Sequence, residues 1–103
     1  MKNIQKRIKE FVEKNNLKAK SEFRMLDIIS ETGEIAKEIL KMTDYGKKES
    51  KYRKEIESEI GDLFFSLICL SNNYDIDVEK AINSALNKYE KRLEKGSAGS
   101  EVE

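Results

Sequence analysis

The sequence predicts an all-α domain built as a four-helix bundle. Three observations predict it. Apolar residues recur at helical spacing in four separate stretches, and no stretch shows strand-like alternation of useful length. The 103 residues contain no proline, so nothing of that kind interrupts a long helix. Charged residues make up 39% of the chain and hydrophobic ones 38%, which suits helices with a narrow apolar stripe and a heavily charged exterior.

The first helix is expected over about Asn3 to Asn15, with Ile4, Ile8, Phe11 and Val12 on one face. Asn15-Asn16 interrupts it, and Ser21 is the expected N-cap of a second helix reaching Met42. Thr43-Asp44-Tyr45-Gly46 supplies turn chemistry. The third helix is expected from about Ser50 to Asn72 or Asn73. After Asp75-Ile76-Asp77, a fourth begins with Asp77 as its cap and ends near Leu93 or Glu94. These elements make residues 1–94 one domain. From 95 to 103 the chain is small and polar and reads as a flexible tail.

Composition narrows the chemistry. Lysine plus arginine and aspartate plus glutamate balance at 20 each, so the whole chain carries no footprint for nucleic acid. With no histidine there is no imidazole base and no histidine-containing metal motif. The single cysteine, Cys69, lies in an apolar run and reads as a core residue. The longest apolar run, Leu63 to Leu70, is too short to span a bilayer, and the N-terminus does not read as a signal peptide. The cytoplasm is the expected location.

The most informative pattern is a phrase written twice, Glu31-Thr32-Gly33-Glu34 and Glu59-Ile60-Gly61-Asp62. Each sets two carboxylates about one helical turn apart. On the second helix Asp27, Glu31, Glu34 and Glu38 fall in a stripe roughly 60° wide. Ile60, Leu63, Phe64, Phe65, Leu67, Ile68 and Leu70 cover nearly the whole circumference of the third helix, which is therefore expected to be buried. Glu59 and Asp62 then share a narrow gap in its apolar shell with Ser66. Buried carboxylates are costly unless paired or bound to metal, and no cation in that stretch offers itself. Gly33 and Gly61 lie roughly 130° around their helices from the acid pairs, where close backbone approach by another helix is expected.

Oxygen-only ligands select a hard cation, Mg²⁺ with Mn²⁺ as a substitute, held by Glu31, Glu34, Glu59 and Asp62. Mg²⁺ fills its remaining positions with water and substrate phosphates, which points to phosphate chemistry. Lys88 and Arg92, four residues apart at the border of the last helix's apolar arc, can aim their heads into a cleft and engage phosphate.

The order Glu-x-x-Glu, Glu-x-x-Asp on an apolar helix, then Lys-x-x-x-Arg resembles the MazG family of all-α nucleotide pyrophosphohydrolases. The matching text is Ser30 to Glu38, Glu59 to Phe64 and Asn87 to Arg92, with Asp75-Ile76-Asp77 as the acidic break before the last helix. The likeness runs from about Glu22 to Arg92. It implies that the four acids are Mg²⁺ ligands and that Lys88 and Arg92 bind substrate phosphates. It also implies a homodimer or dimer of dimers, with sites near subunit contacts, that converts nucleoside triphosphates to monophosphate and pyrophosphate. Many members carry an asparagine in the final basic motif, where this chain has Tyr89 and Glu90.

One carboxylate, Glu34 or Glu31, is expected to orient or deprotonate the attacking water. Phe11, Phe23 and Arg24 are candidates for base contact, with no assignment among them. The expected function is Mg²⁺-dependent pyrophosphohydrolysis in nucleotide-pool house-cleaning, with a nucleoside triphosphate and a second copy as partners and no membrane or nucleic acid. A non-catalytic helical interaction module and a dimeric dUTPase-type phosphohydrolase are the alternatives.

Overall fold

Four helices carry the chain in a computed structural model that describes residues 1–96. They are α1 (Lys2–Lys14), α2 (Ser21–Met42), α3 (Glu55–Asn73) and α4 (Val78–Glu94). There is no strand among the described residues. The all-α expectation therefore holds, and the helix ends mostly fall where the sequence places them. The expected tail begins at Lys95 and lies almost wholly outside the described residues.

Helix α3 is the hub, with α2 packed along one flank and α1 along another. Residue pairings show that α2 and α3 run antiparallel. Arg24 acts on Cys69, Glu31 on Asp62, and Glu38 on Arg53 just before α3 begins. Phe11 of α1 meets Phe65 of α3 edge to face, with ring centroids 6.2 Å apart and planes at 85°, an arrangement the aromatic quadrupole favours. Val12, Ile68 and Cys69 are the buried apolar side chains among the described residues, joined by buried Gln5, Arg24, Glu38 and Ser66.

Three expectations are corrected. Helix α3 begins at Glu55 rather than near Ser50. Residues 47–53 bring no apolar periodicity to nucleate a turn. Instead Lys51 N–H donates to the Met42 carbonyl at 2.8 Å, and Arg53 Nε donates to Glu38 Oε1 at 2.9 Å, holding the segment against the end of α2. Second, α3 is not covered all round. Ile60, Phe64 and Leu67 stay exposed because only α1 and α2 pack on it. Third, no helix approaches Gly33 or Gly61, since a Cβ built on either meets nothing within 4 Å. Ser21 is a smaller departure: it is the first helical residue, and Lys20 occupies the cap position.

Chain reversals use left-handed backbone where polar residues tolerate it. Asn16 (φ 55°) and Asp75 (φ 53°) follow α1 and α3. Asp44, Tyr45 and Gly46 lie consecutively at φ 48°, 59° and 88° after α2. Asp77 caps α4 as expected, its Oδ1 accepting from Lys80 N–H at 3.1 Å.

Helix α4 differs from the rest. It shares no comparable packing with the other helices, and from Glu79 onward every one of its residues except Ala85 is exposed. Its root is tied down by polar bonds. Gln5 Nε2 donates to Asn72 Oδ1 at 3.0 Å and to the Ile76 carbonyl at 2.8 Å, while Gln5 Oε1 accepts from Val78 N–H at 3.0 Å. Among the described residues no helix is long and apolar enough to cross a membrane.

Candidate functional site

The antiparallel pairing of α2 and α3 sets the two acid phrases on facing flanks of one hairpin. Glu31 records their proximity. Partial removal from water raises its pKa above 4.5, and repulsion from Asp62, Glu59, Glu34 and Asp27 adds to the rise. Glu31, Glu34 and Glu59 are half-covered, whereas Asp62 is exposed. Asp62 thus departs from the expected burial, for the same reason that α3 is open on one side. Ser66, one turn beyond Asp62, is buried as expected.

The carboxylates do not converge into a ready-made metal cluster among the described residues. What they provide is a concentration of negative charge without an arginine or histidine between them. Glu34 contacts Lys37 of its own helix at 3.7 Å, and both side chains are substantially exposed, a geometry worth little. The donor set suits a hard cation: all four groups are carboxylates, and their mutual repulsion is the term such an ion relieves.

Glu38 belongs to the acidic stripe by sequence and leaves it in the structure. Arg53 Nε lies 2.9 Å from Oε1 and Lys41 Nζ 3.6 Å from Oε2, with only 12% of the Glu38 side chain exposed. The Arg53 hydrogen bond holds the Glu38 carboxyl below its ordinary pKa despite the opposing effect of burial. Glu38 therefore clasps the loop before α3. Sequence reading had no means of pairing it with an arginine fifteen residues away across an irregular loop.

Lys88 and Arg92 lie on α4, both beside the Tyr89 ring, at 5.1 and 5.9 Å from its centroid. These are cation–π distances. The cations are thus carried on α4, the helix that packs least on the rest of the bundle. Of the candidates for base contact, Phe11 packs on Phe65 and Phe23 is exposed. Arg24 is buried, donating from Nη2 to the Leu17 carbonyl, with Nη1 3.9 Å from Asp27.

Comparison with known proteins identifies the family. Residues 19–97 match the family model of the MazG nucleotide pyrophosphohydrolase domain. YpjD of Bacillus subtilis is 38% identical over 71 residues, covering 66% of this chain and 62% of YpjD. The nucleoside triphosphate pyrophosphohydrolase/pyrophosphatase MazG of Thermotoga maritima is 42% identical over 48 residues, covering 47% of this chain and 19% of that protein. The chain therefore spans about three fifths of the first relative and about one fifth of the second.

Two crystal structures share the fold. The Bacillus-conserved MazG protein, a nucleotide pyrophosphohydrolase, has a TM-score of 0.72 at 30% identity, covering 85% of this chain and 86% of that one. The YpjD structure has a TM-score of 0.74 at 32% identity, covering 89% and 94%. By the extent of the family match, and by the ordered acid pairs on one helical hairpin, the chain belongs to the MazG nucleotide pyrophosphohydrolase domain family.

Proposed function

We propose that residues 1–94 form a Mg²⁺-dependent nucleoside triphosphate pyrophosphohydrolase that converts (d)NTP to (d)NMP and pyrophosphate, serving nucleotide-pool house-cleaning in the cytoplasm. The observation that supports this reading is the environment of Glu31, a half-covered carboxylate on which Asp62 and Glu59 of α3 act together with Glu34 and Asp27 of its own helix. Glu31, Glu34, Glu59 and Asp62 would hold Mg²⁺, for which Mn²⁺ can substitute. Bound there, the metal supplies charge neutralisation on the triphosphate and lowers the pKa of a coordinated water.

The chain's own groups do the rest. Glu34 or Glu31 accepts a proton from the water that attacks phosphorus at the α–β linkage, and pyrophosphate leaves. Lys88 and Arg92 contact the phosphates, Arg92 by its planar fork and Lys88 as a point charge. Positioning and neutralisation account for most of the rate.

Self-association belongs to the same reading. The arc Ile82, Leu86, Tyr89 and Leu93 of α4 is exposed, as are Ile60, Phe64 and Leu67 of α3 and Phe23, Leu26 and Ile29 of α2. Apolar surface on this scale marks an interaction face. A second copy, in a dimer or a dimer of dimers, would cover it and bring basic α4 helices toward acid hairpins. The test is to incubate the protein with Mg²⁺ and a panel of nucleotides and identify the products. Monophosphate with pyrophosphate supports the proposal; diphosphate with orthophosphate overturns the assigned bond.

A further inference from the structure

The acid row continues past the four carboxylates named so far. Glu38 follows Glu34 by four residues on α2, and Glu55 precedes Glu59 by four on α3. Each therefore lies one turn, about 6 Å, further along the same face of its helix. Both extensions point to the end of the hairpin where α2 finishes and α3 begins. Arg53 closes the row there. Its Nε donates to Glu38 Oε1 at 2.9 Å, and Glu55 also acts on its guanidinium.

The cations at this end are held in place. Glu38, with 12% of its side chain exposed, grips both Arg53 and Lys41, whose Nζ lies 3.6 Å from Oε2. The loop backbone is pinned as well, Lys51 N–H donating to the Met42 carbonyl at 2.8 Å. Arg53 is fixed by one edge of its guanidinium. Neither of its Nη groups makes a hydrogen bond among the described residues, and 39% of the side chain faces solvent. Two cations on one carboxylate leave one positive charge over. A guanidinium oriented by a buried carboxylate, with its remaining donors open, is preorganised for the oxygens of a phosphate.

The opposite end of the row is built differently. There Arg24 has 9% of its side chain exposed, donates from Nη2 to the Leu17 carbonyl and sets Nη1 3.9 Å from Asp27. Its guanidinium is taken up by the protein itself. Phosphates laid along the acids find open arginine donors at the Arg53 end, one turn beyond Glu34 and Glu59. A triphosphate with its α–β linkage at the acids carries one phosphate more than a diphosphate. That extra group needs a positive counter-charge, which no carboxylate supplies.

We infer that Arg53 and Lys41, held by Glu38, seat the terminal phosphate of the triphosphate, so that this cluster makes the site prefer three phosphates to two. This rests on the pyrophosphohydrolase reading above, and the two can fail separately. The binding arm titrates the ¹⁵N-labelled full chain, with Mg²⁺, against α,β-methylene triphosphates of the common nucleosides and the matching diphosphates. The Arg53 Nε–Hε signal is expected to shift with at least one triphosphate and to stay in place with its diphosphate. Equal shifts with both, or none with any triphosphate, overturn the assignment.

The kinetic arm compares the KM of the preferred triphosphate with that of its diphosphate, or with the Ki where the diphosphate is not turned over. Arg53→Gln should raise the triphosphate KM about tenfold with little change in kcat, as loss of a charge-assisted contact does, and leave the diphosphate value unchanged. Lys41→Gln leaves the bond between Arg53 and Glu38 in place and should give the same selective rise, about threefold, so it decides the matter if Arg53→Gln does not fold. Equal losses on both substrates would make the cluster a structural clasp only. If the wild type hydrolyses no nucleotide yet the triphosphate-selective shift appears, the hydrolase reading fails and the phosphate seat stands.

Discussion

The α2–α3 hairpin and α4 carry opposite charges, and the fold treats them in opposite ways. The hairpin is packed along its length, so its acids share a flank and one of them, Glu31, is pushed toward protonation. Helix α4 carries its cations on a rod that is exposed nearly from root to tip, with Lys88 and Arg92 resting on Tyr89. Charges held against each other by packing are poised for a ligand of opposite sign. Charges on an uncovered helix wait for a surface that would place them.

The largest effect should come from breaking the hairpin's side of that contrast. Glu59→Gln or Asp62→Asn is expected to abolish turnover in a pyrophosphate-release assay while leaving the helical circular dichroism unchanged. Chelation of Mg²⁺ should do the same to the wild type, reversibly. Full activity in either variant would remove these residues from the metal site.

Breaking the α4 side should come next. Leu86→Glu together with Leu93→Glu places charge on the exposed arc and should shift the sedimenting species toward monomer, with activity falling in parallel. Lys88→Ala and Arg92→Ala should instead leave assembly intact and raise KM about tenfold each, in line with loss of a charge-assisted contact. A monomeric variant with full activity would show that the hairpin works without a second copy.

A smaller effect tests the clasp. Glu38 has a depressed folded pKa, so its stabilising contribution is present above the unfolded value near 4.5 and is lost as pH falls through the folded value. Glu38→Gln should therefore melt below the wild type at pH 7, and the gap should narrow below about pH 4.5 in thermal scans. A gap that stays constant with pH would mean that the clasp owes nothing to charge.

The smallest change sharpens the contrast most directly. The raised pKa of Glu31 gives the opposite sign: its ionisation opposes folding as pH rises through the folded value. Without Mg²⁺, Glu31→Gln should melt slightly above the wild type at pH 7. With Mg²⁺ the order should reverse, because the variant loses the rise in Tm that ligand binding gives.

The sequence was most legible where one helix settles the matter. Periodicity and breakers place all four helices, and Asp77 reads as a cap because its side chain acts within a single turn. Covering was harder to read. The apolar circumference of α3 suggested burial on every side, yet a wheel shows only how much surface wants covering, and in one chain Ile60, Phe64 and Leu67 stay open. Gly33 and Gly61 failed for the same reason, since close approach needs a neighbour that no local pattern specifies. Glu38 read as part of an acid stripe because its partner, Arg53, arrives through a loop with no periodicity.

Gln5 makes α4 a lever. The helix has 17 residues, so its far end lies about 25 Å from an anchorage made of the Gln5 amide with its partners and of the ion pairs Met1–Glu79 and Lys2–Asp77. A swing of about 5° at that pivot carries Leu93 sideways by about 2 Å, as much as separates a made hydrogen bond from a broken one. An adjustment at the root would therefore be magnified along the helix, and the arginine near its far end would feel it most.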